Sequence, residues 1–404
     1  MKAALLALIA ALLPALFAMQ SPSVSQTTVR VNVLQDGNPP DWVYFPVYNP
    51  PSTTPEGITI GPDGHIWFTE SAGHSLVRVE IFGSQHPIEL AADDQPGDLA
   101  VGSDRKFYMT DNGKNAIDVV TSDGVSTQYP VAEDSGLHGI AEGSDGNIWF
   151  GSRAHISKLT PAGLMTRYAL NGNPGITSVT AGTDRSVWFA ESQASKLARI
   201  VPSSGAIASY PIPCAPLGIV TTPDKNIWFT CASAVGRMTP RGMATIYPTT
   251  IRPSGSITVG PDHALWFTSA SDRALGRITT GGELTYLNPL ASFGGQPWTI
   301  ITGPDGNLWF TDHLQSVGIY VLRQISVIPT GWIATGPGQS EIVTVEETNY
   351  SGPWKAVSAN PPVATAERGT SSHQFVITSV AHGKTIIEIS DSCGNRFDVS
   401  VTVH

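Results

Sequence analysis

Apolar and polar residues alternate in short runs along most of this chain, and the runs recur. A stretch such as Ile58-Thr59-Ile60 leads into a Pro-Asp-Gly turn and then into Ile66-Trp67-Phe68-Thr69. Alternation with period two, broken by a tight-turn signal and resumed in β-branched and aromatic residues, predicts a β-hairpin. Near-copies begin at Pro62, Ser103, Ser144, Thr183, Pro223, Pro261 and Pro304. Their aspartates, Asp63, Asp104, Asp145, Asp184, Asp224, Asp262 and Asp305, are spaced 41, 41, 39, 40, 38 and 43 residues apart. A third apolar run follows each hairpin (Ile117–Thr121, Leu197–Val201), and a fourth often contains Tyr-Pro, as at Tyr129-Pro130 and Tyr210-Pro211. Four short antiparallel strands per forty residues make one propeller blade, so the expected fold is all-β with a seven-bladed β-propeller.

The last repeat lacks a fourth strand of its own. Val43–Val47 and Tyr48 match that strand yet precede the first repeat. Pairing them with the seventh blade closes the ring and removes two exposed sheet edges. The expected segments are a signal peptide at 1–19, a linker at 20–42, the propeller at 43–323 and a small β-sandwich at 324–404. Met1 to Ala18 is apolar after a lone Lys2, which reads as a secretory signal, with an uncleaved anchor as the alternative. Export to the periplasm, cell surface or medium follows from the first reading. Nothing later in the chain is apolar and long enough to span a bilayer. From Gln324 onward the period is lost and short alternating runs continue between Pro and Gly clusters.

Tryptophan fills the aromatic slot of six repeats (Trp67, Trp149, Trp188, Trp228, Trp266, Trp309) and Tyr108 fills the seventh. These read as packing between blades rather than as ligand-stacking platforms, and the repeat aspartates read as turn residues. Charged residues are 14% and the formal net charge is −10. That argues against nucleic acid as a partner, which needs a basic footprint; a small molecule or a protein at the propeller face is expected instead, with a monomeric chain.

There are three cysteines, Cys214, Cys231 and Cys393. By repeat phase Cys214 and Cys231 fall on loops of the fifth blade, so a disulfide between them is expected, with two separate buried thiols as the alternative.

Propeller strands run radially, so one repeat position forms one ring about the axis. Seven residues before each aspartate stand Glu56, Gly97, His138, Thr177, Leu217, Gly255 and Trp298. Seven after stand Glu70, Asp111, Ser152, Glu191, Cys231, Ser269 and Asp312. Both sets are expected to rim one mouth of the channel. Glu70, Asp111 and Asp312, in neighbouring blades of a closed ring, would offer hard oxygens to Mg²⁺ or Ca²⁺. His138 would serve as a base near neutral pH. The plainer alternative is a set of solvated loop carboxylates without an ion. No G-x-S-x-G, H-E-x-x-H, P-loop or Rossmann pattern is present.

Pro55–Glu70, read P-E-G-I-T-I-G-P-D-G-H-I-W-F-T-E, and Leu275–Thr279, read L-G-R-I-T, resemble the virginiamycin B lyase (streptogramin lyase) family. The resemblance runs through all seven repeats. It implies a seven-bladed propeller that opens a cyclic depsipeptide by Mg²⁺-dependent elimination with a histidine base on the seventh blade. The matching base position here is Trp298, and the acidic position two residues before it is Gln296. The acidic position after W-F-T is kept as Asp312, and the family's further histidine falls near Gly255 or Ser256. Trp298 has no basic nitrogen. Glu56, Glu191, Gln296 and Trp298 are therefore read as a ligand-binding rim. Three functions follow: a binding propeller without the family's base, a lyase using the acidic rim and His138, or an interaction scaffold. The ending Gly383–Val403 resembles the last hairpin of bacterial immunoglobulin-like domains, which implies that the sandwich is of that type.

Overall fold

In a computed structural model the structure describes residues 42–46, 54–80, 84–131, 134–287, 295–314, 316–320, 325–328, 332–347, 354–371, 373–390 and 396–404. The expected signal segment, all of the linker but Trp42, Tyr48 and Cys393 lie outside these residues.

Seven four-stranded antiparallel sheets account for residues 42–320. Blade one runs Pro55–Ile60, Ile66–Glu70, Ser75–Val79, Gln85–Glu89, and the next five repeat that order. In blade seven the inner three strands are Pro297–Thr302, Leu308–Asp312 and Ser316–Tyr320. Its outer strand is Trp42–Pro46, antiparallel to Ser316–Tyr320, with Trp42 opposite Tyr320. The ring thus closes with the strand expected to close it.

The repeat residues show why each blade holds its shape. The carboxylate of Asp63 accepts the His65 backbone N–H at 3.2 Å and the Trp67 indole N–H at 2.9 Å. Asp145, Asp262 and Asp305 bind Trp149, Trp266 and Trp309 in the same way, each at 3.0 Å. Where Tyr108 replaces tryptophan, its hydroxyl donates to Asp104 at 2.9 Å. One side chain therefore sets the turn and orients the ring four residues on. The aromatic then packs on the next blade. Trp67 meets Leu99, Phe107 and Met109, and Trp309 meets Ile58, Ile66 and Phe68 across the seam. All seven slot aromatics are at most 3% exposed, which makes them the core between blades.

The threonine of W-F-T is a second staple. Thr69 accepts the Gly57 N–H at 2.9 Å within its blade and donates to the Gly97 carbonyl of the next at 2.6 Å. Thr268 donates likewise to Trp298 at 2.6 Å. Buried backbone groups need partners, and this hydroxyl supplies them between neighbouring inner strands.

The C-terminal strands form two four-stranded sheets. One orders 325–328, 340–347, 374–379 and 364–368; the other orders 332–335, 396–403, 383–390 and 355–358. Val343, Val345, Phe375, Ile377, Ile387, Ile389, Val399 and Val401 share one buried cluster. Two sheets facing a common core make a β-sandwich. No helix among the described residues is long and apolar enough to cross a membrane.

Candidate functional site

The inner strand of six blades carries a register shift: between Pro55 and Ile58, Pro96 and Leu99, His138 and Ile140, Ile176 and Ser178, Pro216 and Ile219, Pro297 and Ile300. A bulge of this kind unpairs one or two residues and turns them off the ladder. In five blades an unpaired residue faces the axis (Glu56, Gly97, Thr177, Leu217 and Trp298), whereas in blade three His138 itself pairs with Gly151 and Gly139 is skipped. Glu56, Gly97, His138, Thr177, Leu217, Gly255 and Trp298 all line a single axial cavity of about 440 Å³. That volume suits a small ligand. The ring expected seven residues before each aspartate therefore surrounds one chamber.

The second ring lies elsewhere. Glu70, Asp111, Glu191 and Asp312 are at most 4% exposed and do not line the chamber. They sit at the ends of the second strands and hold loops. Asp312 accepts the N–H groups of Gln296 and Leu314 at 2.9 and 2.8 Å. Glu70 takes a 3.2 Å hydrogen bond from the Ser75 hydroxyl. Burial pushes Glu70 up to about 7, and raises Glu191 and Asp312 above the usual carboxylate range. The expectation that both rings share one mouth is corrected: Asp111 and Asp312 turn to the loop that precedes their own blade, and Glu70 turns to Ser75 of the next strand. Glu70, Asp111 and Asp312 are not brought together; among the described residues the one group of three acidic, His or Cys side chains spaced for a metal is Asp94, Asp111 and Asp118. Gln296 also stays off the chamber wall, its backbone serving Asp312.

The ionisable groups of the chamber wall, Glu56, Asp98 and His138, come from blades one, two and three. Asp98 Oδ2 lies 3.5 Å from His138 Nδ1 and accepts the Gly139 N–H at 2.8 Å. Gly139 has φ +62°, and a Cβ there would stand 2.6 Å from the Ser178 Cα of the next blade, so glycine is required. The hydrogen bond that its ring donates to Asp98, and then the charges of Asp98 and Glu56, raise the His138 imidazolium above its ordinary range. Glu56 Oε2 approaches His313 Nε2 at 3.4 Å. The His313 ring stacks on Trp298 with centroids 4.3 Å apart. Asp98 escaped the sequence reading because it stands one residue off the ring and no other blade repeats it.

The Mg²⁺ that the family resemblance implies does not fit the residues at its expected place. Trp298 offers no lone pair. Asp312 Oδ1 is committed to two N–H groups and only Oδ2 lacks a hydrogen bond. The Ser256 hydroxyl accepts the Ile300 N–H at 3.0 Å. The one free oxygen is buried off the chamber wall, so an Mg²⁺ held by it would have neither room for the waters it keeps nor access to a ligand in the chamber.

Cys214 and Cys231 are disulfide-bonded, 17 residues apart in sequence. The bond ties the segment before the inner strand Pro216–Thr221 to the end of its partner Ile227–Cys231.

Fold and cavity define a closed seven-bladed propeller with a ligand-sized axial chamber. The chain belongs to the virginiamycin B lyase family, whose profile matches residues 44–152 and 127–320. A virginiamycin B lyase from Nocardia farcinica is 30% identical over 99 residues, 24% of this chain. That match spans 34% of the relative, about a third of its length. The structure of a catalytically inactive virginiamycin B lyase from Staphylococcus aureus, with quinupristin, is 28% identical. It superposes with a TM-score of 0.65 over 69% of this chain and 98% of that one. A streptogramin B lyase structure is 31% identical, with a TM-score of 0.64 over 69% of this chain and 96% of that one.

Proposed function

We propose that this chain is an exported binding propeller that has given up the family's elimination chemistry. One observation carries the reading: Trp298 lines the chamber, stacked on His313, and it stands where the family resemblance puts the base. An indole N–H donates only, so it cannot abstract the proton that an elimination removes. The chamber keeps the features of a binding site. An aromatic face stands on one blade, and Glu56, Asp98 and His138 supply charge on three others. A small ligand with an apolar body and a cationic or hydrogen-bond-donating group matches that wall. The disulfide and the apolar start of the chain both support export, since such bonds persist in oxidising compartments. The sandwich is read as an immunoglobulin-like spacer or adhesion module, and the chain as a monomer.

The test is incubation of the protein with quinupristin and millimolar Mg²⁺. Product is followed by chromatography, because elimination opens the ring without changing mass. Intact depsipeptide after prolonged incubation is expected. Ring opening above the buffer rate overturns the non-catalytic reading.

A second reading has its own observation. The Asp98–His138 pair on the chamber wall is a carboxylate-oriented imidazole, which is what a general base needs. On that reading the lyase site has moved from blade seven to blade three. Turnover abolished by His138→Ala and untouched by Trp298→Phe would establish it.

A further inference from the structure

Blade two buries three aspartates that take no part in the chamber. Asp94 lies in the loop before the inner strand Pro96–Val101, Asp111 ends the second strand, and Asp118 stands in the third strand Ala116–Val120. Each is at most 5% exposed. One oxygen of each lies within 4.8 Å of one oxygen of both others. Three carboxylates in so small a buried volume repel one another unless something positive joins them.

The hydrogen bonds divide each carboxylate in two. Asp94 Oδ2 accepts the Ala91 N–H at 2.9 Å. Asp111 Oδ1 accepts the N–H groups of Gln95, Gly113 and Lys114 at 2.8, 2.8 and 3.2 Å. Asp118 Oδ1 accepts the Gln128 amide at 2.8 Å. One oxygen of each group is thus anchored. The others are poorly served. Asp111 Oδ2 has a 3.4 Å contact from Gln128. Asp118 Oδ2 is buried with no hydrogen-bond partner. Asp94 Oδ1 meets Lys114 Nζ at 2.6 Å, but that ammonium is shared with Asp93 at 2.7 Å. His74 Nδ1 contacts the Asp94 carbonyl and leaves the carboxylates alone.

We propose that Asp94, Asp111 and Asp118 form a buried binding site for a divalent cation of the calcium type within blade two. Three charges against one lysine leave a deficit that a divalent ion removes. Three carboxylate oxygens within 4.8 Å of one another can share one ion, and Ca²⁺ accepts an irregular carboxylate-rich shell at about 2.3–2.6 Å where Mg²⁺ demands near-octahedral geometry and holds its waters. With an ion present, rotation of the Gln128 amide would offer a further oxygen, and the loop 91–95 would be tied to the blade by metal as well as by hydrogen bonds. The site owes nothing to the reading of the chamber.

The test uses the full protein after treatment with a chelator, titrated with Ca²⁺ and with Mg²⁺ by calorimetry and by thermal melting. One Ca²⁺ per chain and a raised melting temperature are expected, with Mg²⁺ at least tenfold weaker. Asp118→Asn removes a ligand without a change of size and should weaken Ca²⁺ binding tenfold or more. Lys114→Met removes the competing ammonium and should tighten it. A melting temperature indifferent to Ca²⁺ in both the native protein and Lys114→Met overturns the site and leaves three carboxylates sharing protons. A Ca²⁺ response that survives Asp118→Asn unchanged overturns it too, since the ion is then held elsewhere.

Discussion

The Thr311 hydroxyl donates to the Glu56 carbonyl at 2.9 Å, joining two residues 255 apart in sequence at the seam of the ring. The same oxygen accepts the Thr299 N–H at 3.1 Å. Thr311→Val keeps the shape and strands both backbone groups, so a loss of about 1–3 kcal/mol is expected. Denaturant midpoints measure it. An unchanged midpoint would mean that water replaces the hydroxyl there.

Asp305 binds the Trp309 indole N–H and the Asn307 N–H, at 3.0 and 3.1 Å. Asp305→Ala leaves a buried indole donor unpaired and should cost about 1–3 kcal/mol. Trp228 already has an unpaired indole N–H. Asp224→Ala should therefore cost less than Asp305→Ala, and comparing the two melting curves decides it.

Glu70 gives the stability a pH dependence with a definite sign. Burial raises its folded pKa from 4.5 to about 7. Between those values the folded chain holds a proton that the unfolded chain has lost, so this contribution is full below about 4.5 and is lost as pH rises through about 7. Glu70→Gln, neutral throughout, should melt higher than the native protein at pH 8 and close to it at pH 4.5. Parallel pH profiles for the two proteins would show that Glu70 stays ionised in its burial.

His138 should titrate lower once its carboxylate partner is gone. In Asp98→Asn the imidazole loses the charge-assisted hydrogen bond that raises it. A drop toward the ordinary histidine range is expected in the proton NMR titration of its ring. A titration point that does not move would assign the effect to Glu56 instead.

The Cys214–Cys231 bond closes a loop whose ends are 17 residues apart, for which about 3 kcal/mol is the usual worth. Thiol titration of the unfolded, unreduced protein should find one thiol, that of Cys393. Three would remove the bond, and with it one support for export.

The blades were legible because their signals are local. An aspartate, a glycine or its substitute, and an aromatic four residues on are enough to specify a hairpin and its packing ring. The inner ring was legible for a different reason: closure forces equal repeat positions to equal radii, so Glu56, His138 and Trp298 had to meet. The outer ring failed on one geometric point. Asp312 and Glu70 end strands whose last side chains turn into loops, and no periodicity states which way a strand-end carboxylate leans. Asp94, Asp98 and Asp118 were illegible because no other blade repeats them. Asp111 was legible but with other partners, since it meets Asp94 and Asp118 from three segments that only the folded sheet brings together.

The sheet built from both ends of the ring also fixes when folding can finish. Trp42–Pro46 finds its partner in Ser316–Tyr320, so among the described strands of the ring the first in sequence pairs with the last. Until residue 320 exists, that strand and the bare flank of blade one stay open to any other chain with an unpaired edge. Closing so long a loop slows the final step, as non-local contacts do in general. A chain cut a few residues before position 320 cannot close this ring, and its open sheet edges should make it more prone to aggregation and proteolysis than the whole protein.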